Sequence, residues 1–265
     1  MWPELFRIGP LIISPYGVLV AAAFFAGILV AARLASRHEH IEPALIWDFS
    51  IMLVLVALLG AKLLMIFTDP FFYEHPANIL SVDFIRSAGV FYGGFLAALA
   101  FAAWYLRRHR LPAWKVSDAF APAIALGHTF GRLGCLTAGC CHGSPTDWFW
   151  GITFTDPGCM VSTPLLGIPL HPTQLLEAVA NFVIFLSLLL FYNRKKFDGQ
   201  VILGYILCYS VMRFSLEFLR GDVSDSIRIG GFSVSQLISG LCFVAAVCFY
   251  WQRSRSARST TAPAD

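Results

Sequence analysis

Seven stretches of this chain are long and apolar enough to cross a lipid bilayer: 14–33, 45–67, 90–106, 117–137, 172–192, 201–219 and 233–251. Crossing the hydrocarbon takes about 17–25 mostly apolar residues. Inside it every backbone N–H and C=O must be bonded within the segment, so the runs can only be helices. The whole chain is 57% hydrophobic and 13% charged, against about 25% charge in a soluble domain. The fold class that follows is an all-α membrane protein of seven transmembrane helices. The net charge of +3 gives no footprint for nucleic acid. Glu4 interrupts the basic start and no small-residue cleavage site follows the first apolar run, so that run reads as a retained helix and not a signal peptide.

The basic residues set an orientation. With the N-terminus outside, cytoplasmic segments hold Arg33 and Arg37, then Arg107, Arg108, Arg110 and Lys115, then Arg194, Lys195 and Lys196, and finally Arg253, Arg255 and Arg258. The outer segments hold only Arg7, Arg86, Arg220 and Arg228. This is the asymmetry of the positive-inside rule, and it puts the C-terminus in the cytoplasm. The expected organisation is one transmembrane domain over 1–252, an outer-face loop at 142–171 and a disordered Ser/Thr/Ala/Pro tail at 253–265.

Polar groups inside apolar runs are the informative ones, because an ionisable side chain at the bilayer centre costs about 2.5–3.5 kcal/mol on insertion scales. Arg132 lies between Gly131 and Gly134, within the stretch GHTFGRLGCLTAGCCHG at 127–143. Arg213, Glu217 and Arg220 recur at i, i+4 and i+7, which predicts one helical face. Gln174, Glu177 and Asn181 share a second face, in a helix opened by His171-Pro172. Glu177 is placed to balance the arginines. By the topology above, all three sets reach the outer half of the membrane, where arginines suit the phosphate of an outer-leaflet phospholipid. Tyr16 starts the first helix at the outer side. Tyr92-Gly93-Gly94 opens the third, and the glycine pair predicts close packing. Lys62 either snorkels outward or lines a cavity.

The motifs FGRLGC, HPTQLLEA, FYGG and RFSLEFLR resemble those of the bacterial prolipoprotein diacylglyceryl transferase family, in the same order over nearly the whole chain. The resemblance implies a multi-pass enzyme of the bacterial cytoplasmic (inner) membrane. It would move the diacylglyceryl group of phosphatidylglycerol onto the lipobox cysteine of prolipoprotein signal peptides, forming a thioether, with no cofactor. It implies that Arg132, Arg213, Glu217 and Tyr92 are catalytic. It also implies that Arg132, Gly134, Tyr16, Gly143, His171, Gln174, Glu177 and Arg220 bind substrate. Two departures stand out. The family usually has a histidine where Tyr92 stands, and a Gly-Asn-Phe-x-Asn-Gly-Glu signature where this chain has Gly134-Cys135-Leu136-Thr137-Ala138-Gly139-Cys140. They keep open a second reading, a phospholipid-binding or thiol-redox membrane protein without transferase activity.

For Cys135, Cys140, Cys141, His142 and Cys159 three readings stand side by side. One is a disulfide joining Cys159 to Cys140 or Cys141. Another is a metal or haem site, although the usual ligand spacing is absent. The third is small thiols packed into a glycine-rich turn.

Overall fold

A computed structural model of the chain describes residues 4–8, 11–81, 84, 87, 89–221 and 228–261. Arg86, placed on the outer face above, lies outside the described residues. The long helices are α1 (Pro15–Glu39), α2 (Pro43–Thr68), α3 (Phe91–Arg108), α4 (Ala113–Ala138), α5 (Thr173–Tyr192), α6 (Gln200–Leu216) and α7 (Val234–Thr261). Each of the seven apolar runs falls on one of them. Among the described residues, five helical segments meet the length and composition for crossing a membrane: α1, α2, α5, Gln200–Leu219 and Val234–Ala257. Their large apolar side chains are widely exposed, with Leu190 at 78% and Leu241 at 72%. So much uncovered apolar surface on long helices belongs in lipid.

The chain packs as two compact units, 35–116 and 1–34 with 117–265. In the first, α2 and α3 meet along a seam of small residues. A Cβ on Gly60 would lie 2.6 Å from the Gly93 carbonyl oxygen, and one on Gly94 2.9 Å from that of Ala57. Helices in lipid associate by such close backbone approach, and the expected packing role of Gly93-Gly94 is what the structure has. Lys62 turns to the loop that follows α2: its Nζ donates to the Phe84 carbonyl and, at 2.7 Å, to that of Ser87.

In the second unit α4, α5 and α6 share a core of Ala121, Ala125, Phe185, Leu188, Tyr192, Val201 and Tyr205. One end is fastened by a buried carboxylate the sequence does not advertise. Asp118, fully buried, accepts from the backbone N–H of Gly199 at 2.8 Å and of Val201 and Ile202 at 3.0 Å. Those are orphan donors at the start of α6, so a residue of α4 caps α6. Lys195 Nζ adds an ion pair at 3.1 Å.

Loop 142–171 is more ordered than its turn-rich composition suggests. Strands β1 (Ile152–Thr153) and β2 (Pro169–Leu170) pair antiparallel, Ile152 with Leu170 and Thr153 with Pro169. Beneath them Phe154, Cys159, Val161 and Leu170 form a small core of their own. At the far end α7 continues to Thr261, so the stretch from 253 to 261 is helical where composition alone suggests an unstructured tail.

Replacing Asp118 with Asn removes the buried carboxylate that pairs with Lys195, leaving that lysine Asp198 at 3.6 Å, and offers an N–H₂ group to backbone donors. Breaking a buried pair costs about 3–5 kcal/mol. Asp118→Asn therefore melts well below the parent protein in detergent; an unchanged melting temperature refutes the anchoring role.

Candidate active site

Two carboxylates and three arginines form one cluster. Glu177, on the buried face of α5, pairs with Arg132 of α4 through Nε at 2.7 Å, and lies 3.9 Å from Arg213 Nε of α6. Arg213 Nη1 is 2.6 Å from Glu217 Oε2, and Arg220 Nε is 3.9 Å from the same oxygen. The carboxylate side chains are only 3% and 4% exposed. The bland reading of such a cluster is a set of ion pairs that only ties helices together. Against that, the Arg132 side chain is 20% exposed, so it is held by Glu177 without being sealed in.

The spacing of Arg213, Glu217 and Arg220 suggests a single helical face, and the structure corrects this. α6 ends at Leu216 and tightens into a 3₁₀ turn over Glu217–Leu219, and Arg220 is extended, with φ −74° and ψ 135°. The orphan carbonyls at a helix end favour such a tightened last turn. Arg220 thus approaches Glu217 from a strand-like segment, bridged antiparallel to Gly143.

Residues that sequence reasoning did not single out complete the cluster. Ser233 Oγ donates to Glu217 Oε1 at 2.6 Å, and Arg213 Nη2 donates to Ser235 Oγ at 3.2 Å. Ser233 and Gln236 also cap the start of α7 reciprocally: Ser233 N–H donates to Gln236 Oε1 and Gln236 N–H to Ser233 Oγ. The Ser-x-x-Gln capping pattern was the available signal, but it marks a helix start and says nothing of Glu217. On the other side, the Tyr209 ring lies against His128, with ring centres 5.1 Å apart and the planes tilted by 37°.

The other expected site residues take the following places. Gly134 receives the Tyr16 ring, whose Cδ2 lies 3.0 Å from where a Cβ would stand. Gly143 is a backbone junction: a Cβ there would sit 2.6 Å from the His171 carbonyl oxygen and 2.7 Å from that of Leu219. Its N–H donates to His171 O, Ser144 N–H to Leu219 O, and Gly221 N–H to His142 O. His171 accepts at Nδ1 from the Trp150 indole at 3.2 Å. Pro172 is the cap residue preceding α5 and not part of its first turn. Gln174 is fully buried and donates to the Cys140 carbonyl at 2.8 Å, while its Oε1 has no hydrogen-bond partner among the described residues. Tyr92 belongs to the other compact unit, where it is 60% exposed with its ring against Phe91.

All seven cysteines are free. Cys159 does not pair with Cys140 or Cys141; it is buried in the loop core, against Gly139. Cys135, Cys140 and Cys141 instead converge, with their Sγ atoms all within 4.8 Å of one another. The convergence is built by the turn after α4. Gly139 and Cys141 both have left-handed backbones, at φ +82° and +59°, which fold Cys140 and Cys141 back over Cys135. Thr173 Oγ1 donates to the Cys141 carbonyl at 2.8 Å and helps hold the turn. Hydrogen bonds from the Cys135 and Cys140 thiols, then the charges of Arg132 and Arg220, hold the Cys141 thiol well below the usual cysteine range. His142 turns its Nδ1 to the Gly143 carbonyl at 3.0 Å.

The family described as prolipoprotein diacylglyceryl transferase matches residues 3–252. A protein of Finegoldia magna named phosphatidylglycerol–prolipoprotein diacylglyceryl transferase is 35% identical over 88% of this chain and 88% of its own length. Proteins of the same name from Clostridium tetani and Symbiobacterium thermophilum are each 30% identical; they cover 90% and 97% of this chain and 92% and 95% of their own. A match of this extent, carried by a chain whose arginines and glutamates meet in one buried cluster, places the protein in the prolipoprotein diacylglyceryl transferase family.

Proposed function

We propose that this chain transfers the diacylglyceryl group of phosphatidylglycerol to the lipobox cysteine of a prolipoprotein. The carrying observation is Arg132, fixed by Glu177 yet one-fifth exposed, in a chain matched to the family over residues 3–252. The thiolate of the acceptor attacks the glyceryl carbon that bears the phosphodiester. A C–S bond forms, the C–O bond breaks, and glycerol phosphate leaves with the electron pair.

The phosphodiester carries one negative charge and the departing monoester carries about −1.5 to −2 at neutral pH. Charge therefore grows on the phosphate during the reaction, and guanidinium groups already in position stabilise it without reorganising. Arg132, Arg213 and Arg220 supply that field. Glu217, locked by Ser233, orients Arg213 and Arg220, and Glu177 orients Arg132. Gln174 Oε1, buried with no partner described, suits a donor such as a glycerol hydroxyl. Tyr16, Gly134, Gly143 and His171 shape the surrounding wall. An apolar groove of about 570 Å³, lined by Ala180, Val183, Leu207, Val211 and Met212 among others, suits acyl chains. Tyr92 replaces the family's histidine as a hydrogen-bond donor to a phosphate or glycerol oxygen; with an ordinary pKa near 10, tyrosine is a poor base.

The reading includes seven transmembrane helices, with the N-terminus outside and the C-terminus in the cytoplasm of a bacterial inner membrane. It is supported by the distribution of Lys and Arg and by the formation of α3 and α4 as full helices. A fluorescent protein fused after residue 265 is expected to fluoresce and alkaline phosphatase at the same point to stay inactive. The opposite pattern overturns the orientation.

The reaction is tested with purified protein, labelled phosphatidylglycerol and a lipobox peptide, with thioether formation as the readout. Arg132→Ala is expected to lower the rate by about 10²–10³, the usual loss for one transition-state donor; full activity refutes the phosphate role. Tyr92→Phe is expected to cost about ten-fold, as for one hydrogen bond to a charged group. No loss in Tyr92→Phe removes Tyr92 from the site.

A further inference from the structure

The three converging thiols are not used by the chemistry above. We propose that Cys135, Cys140 and Cys141 form a three-thiolate site for a zinc-class cation, and that its open fourth position takes the acceptor's cysteine. The second half rests on the transferase reading; the first does not.

Distances favour the site. Zinc binds thiolate sulfur at about 2.3 Å, so ligand sulfurs around a tetrahedral ion stand about 3.8 Å apart. Three Sγ atoms already within 4.8 Å of one another need to close by about 1 Å at most, which side-chain rotation supplies. The ligand type is right, since thiolates select soft and borderline cations. All three cysteines are partly accessible, not sealed in the core. Access of this kind fits three protein ligands with one open position, as in catalytic zinc sites, and not a closed structural site.

Charge also favours it. Three thiolates and a divalent ion sum to −1, a smaller charge to hold beside lipid than three bare thiolates. The frame is preset: the cluster sits on a turn whose carbonyls are held by Thr173 and Gln174 at the start of α5. An intramolecular disulfide would use only two of the three sulfurs and leave their common convergence unexplained.

The site answers a need of the reaction. Thiolate is the nucleophile, and a free cysteine with a pKa near 8.5 is mostly protonated at neutral pH. Binding as fourth ligand releases the thiol proton to solvent, because a coordinating thiol is deprotonated outright. The bound sulfur then attacks the glyceryl carbon, and the C–O pair leaves on phosphate. The ion changes no oxidation state.

Reduced, chelator-treated protein without lipid or peptide would be titrated anaerobically with Co(II) as a spectroscopic probe for zinc. One equivalent is expected, with thiolate charge-transfer absorption that Zn(II) displaces. Cys135→Ala, Cys140→Ala and Cys141→Ala should each weaken binding at least ten-fold, while Cys159→Ala and Cys208→Ala bind as the parent does. X-ray absorption of the zinc-loaded parent protein needs no variant and should show three sulfur ligands. Binding no tighter than that of the triple alanine variant, or fewer than three sulfurs, overturns the site. A lipobox peptide should shift the cobalt spectrum, and its Cys→Ser version should not; no shift overturns the thiol role. A shifted spectrum without thioether formation from phosphatidylglycerol would sink the transferase reading and leave the site standing.

Discussion

The Glu177 and Glu217 carboxylates hold one end of the second unit together. Each is almost wholly buried, where an uncompensated charge is penalised by several kcal/mol. Neither can be accommodated on its own helix alone. Glu177 of α5 needs Arg132 of α4, and Glu217 needs Arg213 of α6 and the Ser233 hydroxyl at the start of α7. Four helices are therefore fixed in relative position by the requirement that two carboxylates be satisfied. The same requirement fixes the guanidinium groups. A cluster built only for stability would do as well with apolar packing; a cluster that positions arginines for an anion cannot be replaced in that way.

Gly143 sets the second constraint. Its neighbours come so close that only a residue without a side chain fits between the His171 and Leu219 carbonyls. Through it the start of loop 142–171, the entry to α5 and the segment carrying Arg220 are hydrogen-bonded into one patch of backbone. Arg220 could not reach Glu217 from an extended segment without that support.

The helices were legible because lipid leaves only one way to satisfy the backbone, so apolar length is nearly sufficient evidence. The pairing of Glu177 with arginine was legible from the cost of burying charge. The geometry of Arg220 was not. Spacing of i, i+4 and i+7 describes a face only while the helix lasts, and nothing in SLEFLRGD states that it ends at Leu216. Ser233 was invisible for a different reason: a serine before an apolar run is an ordinary helix cap, and its second partner is distant in sequence. Asp118 was passed over because one acid at the edge of an apolar run looks like a solvated end. The order of loop 142–171 was not legible because its core residues, Phe154, Cys159, Val161 and Leu170, follow no regular period.

Helix α5 connects the two chemistries of the site. Glu177 aims Arg132, while Thr173 and Gln174, a turn earlier on the same helix, hold the carbonyls of Cys141 and Cys140. A left-handed backbone at a residue with a Cβ costs about 1–2 kcal/mol, and Cys141 is held in it. Glycine would adopt the same turn without that cost, but it would have no sulfur to return toward Cys135. The strain is thus the consequence of bringing a third thiol back to the end of α4, one turn of helix beyond the arginine. Any movement of α5 must shift the Arg132 guanidinium and the thiol cluster together, because both are held by a single element.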